Sequence, residues 1–125
     1  MKKVIATPDA PQAIGPYSQA IEANGFVFSS GQIPINPATG KIESTDIASQ
    51  TGQCLKNVNA ILTAAGCSLS DVVKITVFLS DISNFAAMND VYKQFFATDC
   101  PARSAFAVKD LPLGALVEIE AIAAK

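Results

Sequence analysis

The chain has 125 residues, half of them hydrophobic and 16% charged, with a net charge of −2. That length suggests one domain over residues 1–125, and an acidic balance without a basic run excludes a general nucleic-acid footprint. There is no histidine, so a Ser-His-Asp or Cys-His nucleophile is excluded, and a metal would find only scattered cysteines and acids.

The start, Met1-Lys2-Lys3, is basic, but Val4-Ile5-Ala6 is too short for the apolar core of a leader before Pro8-Asp9. No apolar run approaches the roughly 20 residues of a membrane helix. Cys54, Cys67 and Cys100 share no paired spacing and read as reduced thiols of a cytoplasmic protein.

Residues 3–7 form the first strand candidate. Pro8, Pro11, Gly15 and Pro16 make the next segment a loop with fixed turns. Residues 18–22 can be extended, Asn24-Gly25 is a hairpin turn, and residues 26–30 (Phe-Val-Phe-Ser-Ser) are a strand. Gly31-Gln32-Ile33-Pro34 breaks it, and Asn36-Pro37-Ala38-Thr39-Gly40 is a further turn cluster. Thr45 or Asp46 then caps a helix whose apolar stripe runs through Ile47, Cys54, Leu55, Val58, Ile61 and Leu62, and Gly66 ends it. Residues 71–79 are a β-branched strand with Val73, Ile75, Val77 and Leu79 on its core face. Ser83 caps a second helix with Phe85, Met88, Val91, Tyr92, Phe95 and Phe96 on its buried stripe. Two strands close the chain, residues 101–108 and 117–122, joined through Leu111-Pro112-Leu113-Gly114. The order β-β-β-α-β-α-β-β predicts an α+β layer: a mixed sheet with both helices on one face. The other face would be bare, and on an apolar chain that favours a symmetric homo-oligomer.

The final strands carry the chemistry. Alternation puts Arg103, Ala105 and Ala107 on one face, with Ser104, Phe106 and Val108 on the other. The phenylalanine side reads as the core, so Arg103 is expected to face away from the helices. Val117, Ile119 and Ala121 make a second core face, with Glu118 and Glu120 opposite. Arginine and acids would then line one shared surface, the one a partner subunit covers. There Arg103 could grip a carboxylate in two charge-assisted hydrogen bonds, with a glutamate beside it as a base on water. Equally, Arg103 could form a structural ion pair with Glu118 or Glu120, and spacing alone leaves both open.

At these residues the chain resembles the RidA (reactive intermediate deaminase, or YjgF) family. The signature is Pro101-Ala102-Arg103-Ser104 with Val117-Glu118-Ile119-Glu120-Ala121-Ile122-Ala123. Further matches are Ile14-Gly15-Pro16-Tyr17-Ser18-Gln19-Ala20, Ser29-Ser30-Gly31-Gln32-Ile33-Pro34, Asn36-Pro37-Ala38-Thr39-Gly40, and Phe85-Ala86-Ala87-Met88-Asn89 ahead of Tyr92. The resemblance implies a chorismate-mutase-like fold and a homotrimer with ligand sites between subunits. It implies cofactor-free hydrolysis of 2-imino acids, such as 2-iminopropanoate and 2-iminobutanoate, to 2-oxo acids and ammonia. By position, Arg103 would bind the substrate carboxylate and Glu118 would activate water. Tyr17, Ser30, Gly31 and Asn89 would contact the ligand. Many members carry a cysteine two residues after the arginine, where this chain has Ala105, so a thiol role there is absent. The competing expectation is a trimer that binds small carboxylates or apolar clients without catalysis. Endoribonuclease activity, also attached to the family, suits an acidic chain without histidine poorly.

Overall fold

The computed structural model describes residues 1–125. A six-stranded mixed sheet is built from β1 (Lys3–Ile5), β2 (Ala20–Ala23), β3 (Phe26–Ser29), β6 (Val72–Leu79), β7 (Ala102–Ala107) and β8 (Val117–Ala124), in the order β1-β2-β3-β8-β6-β7. A small hairpin, β4 (Ile35–Asn36) with β5 (Lys41–Ile42), stands apart within the expected turn cluster. Helices α1 (Ile47–Ala64) and α2 (Phe85–Phe95) pack on one face of the sheet. The α+β expectation therefore holds.

Local chemistry sets most boundaries. Asn24 and Gly25 both adopt left-handed backbone, at φ 52° and 80°, and turn β2 into β3. Of the two candidate caps for α1 it is Asp46 that acts, its carboxylate accepting from the Ser49 N–H at 2.8 Å. The helix closes through Gly66 at φ 82°, with Cys67 N–H donating to Leu62 O and Gly66 N–H to Thr63 O. That paired closure satisfies carbonyls the helix would otherwise leave open.

Two local expectations are corrected. Ser83 does not cap α2: Asp81 caps a short 3₁₀ turn at Ile82–Asn84 by accepting from Ser83 N–H at 2.9 Å, and α2 follows from Phe85. In β6 the register slips between Val72 and Lys74. Val73 is the extra residue of this bulge and is exposed, while Val72 takes the core position.

The core lies between the helices and the sheet, around Leu55, Val58, Ile61, Leu62, Ile75, Val77, Leu79, Met88, Val117 and Ile119. Buried polar side chains on α1 tie it to its surroundings. Gln50 accepts from Leu116 N–H at 2.8 Å, and Asn57 donates to Ile35 O at 2.9 Å. The opposite face of the sheet carries Phe26, Phe28 and Phe106, each 42–45% exposed. No helix is long and apolar enough to cross a membrane.

Candidate functional site

The largest correction falls on β7. Arg103 pairs with Ile75, and Ile75 points into the core, so Arg103 lies on the helix side of the sheet. Phe106 pairs with Phe78 on the bare side, where the two rings meet edge to face at 5.5 Å. The expected faces of this strand are reversed. The reason is topological: β7 runs parallel to β6 at the sheet edge, and α2 is the crossover between them. A crossover helix packs back onto one face of the sheet, and on that face α2 meets Arg103 rather than Phe106.

Helix α2 receives the guanidinium with neutral groups. Arg103 Nη1 donates to Asn89 Oδ1 at 2.7 Å. Its central carbon lies 4.6 Å from the Tyr92 ring centroid and 5.5 Å from that of Phe85. Both ring distances fall within cation–π range. The two ion pairs of the chain are Lys93–Asp90 and Lys125–Glu22. Arg103 is therefore half-buried without a carboxylate partner, and the ion-pair alternative does not describe it.

Glu118 is placed by different elements. Gln32 and Ile119 exchange backbone hydrogen bonds at 2.7 and 3.0 Å, which lays the end of the β3 segment along β8. Glu118, paired with Phe78, stands on the bare side and presses its carboxyl against Gly31. A Cβ at Gly31 would lie 2.8 Å from Glu118 Cδ, so only glycine admits this carboxyl. Burial, and then repulsion from Glu120, hold the Glu118 carboxyl above its ordinary 4.5.

The other expected residues cluster near Glu118. Ser30 Oγ donates to Ser18 O at 2.6 Å, and Ser30 N–H donates to Gln19 O at 2.9 Å. Buried Gln19 clips the 8–17 loop, accepting from Thr7 N–H at 2.6 Å and donating to Pro11 O at 2.8 Å. Tyr17, at the end of that loop, is 52% exposed. Tyr17 and Gly31 line a cleft of about 260 Å³ with Ile14, Ile33, Pro112 and Leu113. A larger groove of about 600 Å³ along β1 shares Tyr17 and Gln19 but is lined by no carboxylate or cation.

The expected site residues thus fall into two groups: Arg103 with Asn89, and Glu118 with Gly31, Ser30 and Tyr17. They do not meet within one copy. Registers place Arg103 level with Ile75 and Glu118 level with Phe78, on strands flanking β6. Three residues along and two strand spacings across put their Cα atoms about 14 Å apart, on opposite faces. The expectation that they line one surface of one chain is overturned.

Sequence reasoning assigned Phe85 and Tyr92 only to the core stripe. Their signal was positional: Phe85, Asn89 and Tyr92 share one helical face, so what packs on Asn89 also meets both rings. Leu113, which the sequence marks only as part of a turn, is at φ 56° and largely exposed beside the cleft. Among the thiols, Cys54 is buried and its thiol is pushed well up by burial, which makes it unreactive. No three His, Cys, Asp or Glu side chains gather closely enough to hold a metal ion.

Comparison with known proteins bears on the family and the fold. The family model described as endoribonuclease L-PSP matches residues 7–125. A RutC family protein of Pyrococcus horikoshii is 57% identical over 100% of this chain and 99% of its own. The 2-iminobutanoate/2-iminopropanoate deaminase of Bos taurus is 49% identical over 98% of this chain and 90% of its own. The crystal structure of E. coli TdcF with bound serine superposes with a TM-score of 0.94 at 48% identity, covering 98% of each chain. By sequence along nearly its whole length and by fold, the chain belongs to the YjgF/RidA family.

Proposed function

We propose that the protein is a hydrolase that deaminates small 2-imino acids, 2-iminobutanoate and 2-iminopropanoate among them, to 2-oxo acids and ammonia. The observation that carries this reading is Arg103, a half-buried cation held by neutral groups and left without an anion of its own chain. Such a group is an unfilled carboxylate receptor. Relatives named as deaminases and a relative with bound serine, itself a small carboxylate, support the same chemistry.

The working site is composite. Arg103 and Asn89 of one copy face Glu118, Gly31, Ser30 and Tyr17 of the next, in a homotrimer that uses the bare apolar sheet face as its interface. The substrate is an iminium carboxylate. Arg103 binds its carboxylate, and a water stands between Glu118 and the imine carbon. As the water oxygen bonds to that carbon, Glu118 takes its proton, and the C=N electron pair moves onto nitrogen. The carbinolamine collapses when Glu118 returns its proton to the amine, takes the hydroxyl proton as the carbonyl forms, and passes it to the departing ammonia. The C–N bond breaks, and the 2-oxo acid and ammonia leave. A raised pKa makes Glu118 a stronger base than a free glutamate. Imines hydrolyse in water unaided, so positioning supplies most of what is needed. No cofactor and no nucleic acid enter this scheme. The three free cysteines suit a reducing compartment, and the reading places the protein in the cytoplasm.

A non-catalytic trimer that shelters apolar clients is the second reading, supported by Phe26, Phe28 and Phe106 on the bare face. Ammonia release from freshly generated 2-iminobutanoate decides between them. The deaminase reading expects acceleration that Arg103→Ala abolishes. Unaccelerated release, with client protection that survives Arg103→Ala, supports the second.

A further inference from the structure

Arg103 is held in a way that the substrate carboxylate alone does not explain. Phe85, Asn89 and Tyr92 lie at i, i+4 and i+7 on α2, a single stripe beneath β7. Asn89 Oδ1 accepts from Nη1, the Tyr92 ring lies 4.6 Å from the guanidinium carbon, and the Phe85 ring lies 5.5 Å from it. From this geometry we infer that Phe85 and Tyr92 are positioning residues, an aromatic bracket that fixes which edge of the Arg103 fork meets the substrate carboxylate. The inference rests on the proposed carboxylate-binding role of Arg103.

Guanidinium offers five N–H donors in a rigid plane. Asn89 occupies one of them. The rings attract the cation through their faces yet present no anion. An acid at either position would hold Arg103 as firmly but would neutralise it and compete with the substrate. Aromatic faces keep the charge both fixed and available.

The Tyr92 hydroxyl points to the same conclusion. The residue is 5% exposed, and its hydroxyl is buried without a hydrogen-bond partner. Burial pushes the phenol up, so it stays neutral beside Arg103. An unsatisfied buried hydroxyl contributes nothing favourable to the fold. The ring is then the working part of the residue.

The test reads binding apart from turnover. Binding of 2-oxobutanoate, the expected product, is measured by calorimetry, and hydrolysis of 2-iminobutanoate by ammonia release. In Tyr92→Leu the Kd for 2-oxobutanoate and the KM both rise about tenfold, while kcat stays within about twofold because the carboxylate grip is equal in ground and transition states. Tyr92→Phe keeps the ring and restores the wild-type Kd. Phe85→Leu, at the first residue of α2, shifts Kd in the same direction by less, and it carries the test if Tyr92→Leu does not fold. Wild-type affinity in both leucine variants overturns the bracket. So does a Tyr92→Phe variant as weak as Tyr92→Leu, which would make the hydroxyl the acting group. A wild-type protein that binds 2-oxobutanoate but releases no ammonia sinks the deaminase reading and leaves the bracket measurable. One that does not bind 2-oxobutanoate overturns both.

Discussion

Arg103 and Glu118 are each in the state their proposed work requires. Arg103 keeps its charge with no counter-ion, because Asn89, Tyr92 and Phe85 are all neutral. Replacing it with alanine is expected to lower kcat/KM about a hundredfold or more, the loss of two charge-assisted hydrogen bonds. Lysine in its place should fail comparably, since an ammonium offers neither the paired donors nor the stacking plane. Steady-state assays with thermal melts separate this loss from unfolding. Glu118 has its pKa raised, mainly by burial and then by Glu120. The base must be ionised, so kcat/KM should fall as pH drops through a value above the ordinary 4.5. Glu118→Gln should lower kcat by about two to four orders of magnitude. The same shift fixes a sign for stability. A carboxyl with a raised folded pKa favours folding most below that value, and this contribution is lost as pH rises through it. Glu118→Gln should therefore melt higher than wild type at pH 7, and the difference should close as pH falls into the acid range. An equal melting temperature at every pH would contradict the burial argument.

Elements set where these residues can act, and they were legible to different degrees. The Asn24-Gly25 turn, the α1 stripe and its glycine stop depend on neighbours within a few residues, so local chemistry located them. The core face of β8 followed from strict alternation, which Val117, Ile119 and Ala121 obey. β7 did not yield to the same reasoning. Alternation told its two faces apart but not which one α2 covers. The apolar bias that assigned Phe106 to the core failed because Phe106 packs on Phe78 on the bare face, while α2 takes the Arg103 face. The bulge at Val73 was hidden for a related reason, since a β-branched run reads as continuous alternation. The resemblance named Arg103, Glu118, Tyr17, Ser30, Gly31 and Asn89, but not the division into two groups, which depends on strand register. The approach of the β3 end to β8 gives a test at this scale. Gly31→Ala places a methyl against the Glu118 carboxyl. The glutamate side chain can swing away, so the fold should survive while kcat falls by about two orders of magnitude, comparable to removing the base. An alanine variant with wild-type kcat would detach Gly31 from the site.

At the scale of the whole molecule, the proposed trimer rests on two features, the bare sheet face and the separation of Arg103 from Glu118. Phe26, Phe28 and Phe106 stay partly exposed on a face with no helix over it. Phe26 lies near Phe28 and Phe106 meets Phe78, two apolar patches separated by Glu118, Glu120 and Thr76; exposed patches of this kind suit an interaction surface. Phe28→Asp should lower the mass seen by light scattering from trimer to monomer, and activity should go with it. The divided site admits a more direct test: co-expression of Arg103→Ala and Glu118→Gln chains under two tags. If each site takes its arginine from one copy and its glutamate from the next, every mixed trimer holds one intact site. Equal random mixing then recovers about a quarter of wild-type activity from two nearly inactive parents. In purified doubly tagged assemblies, where the account expects about a third of wild-type activity, activity that stays at the mean of the two parents would contradict a site shared between copies.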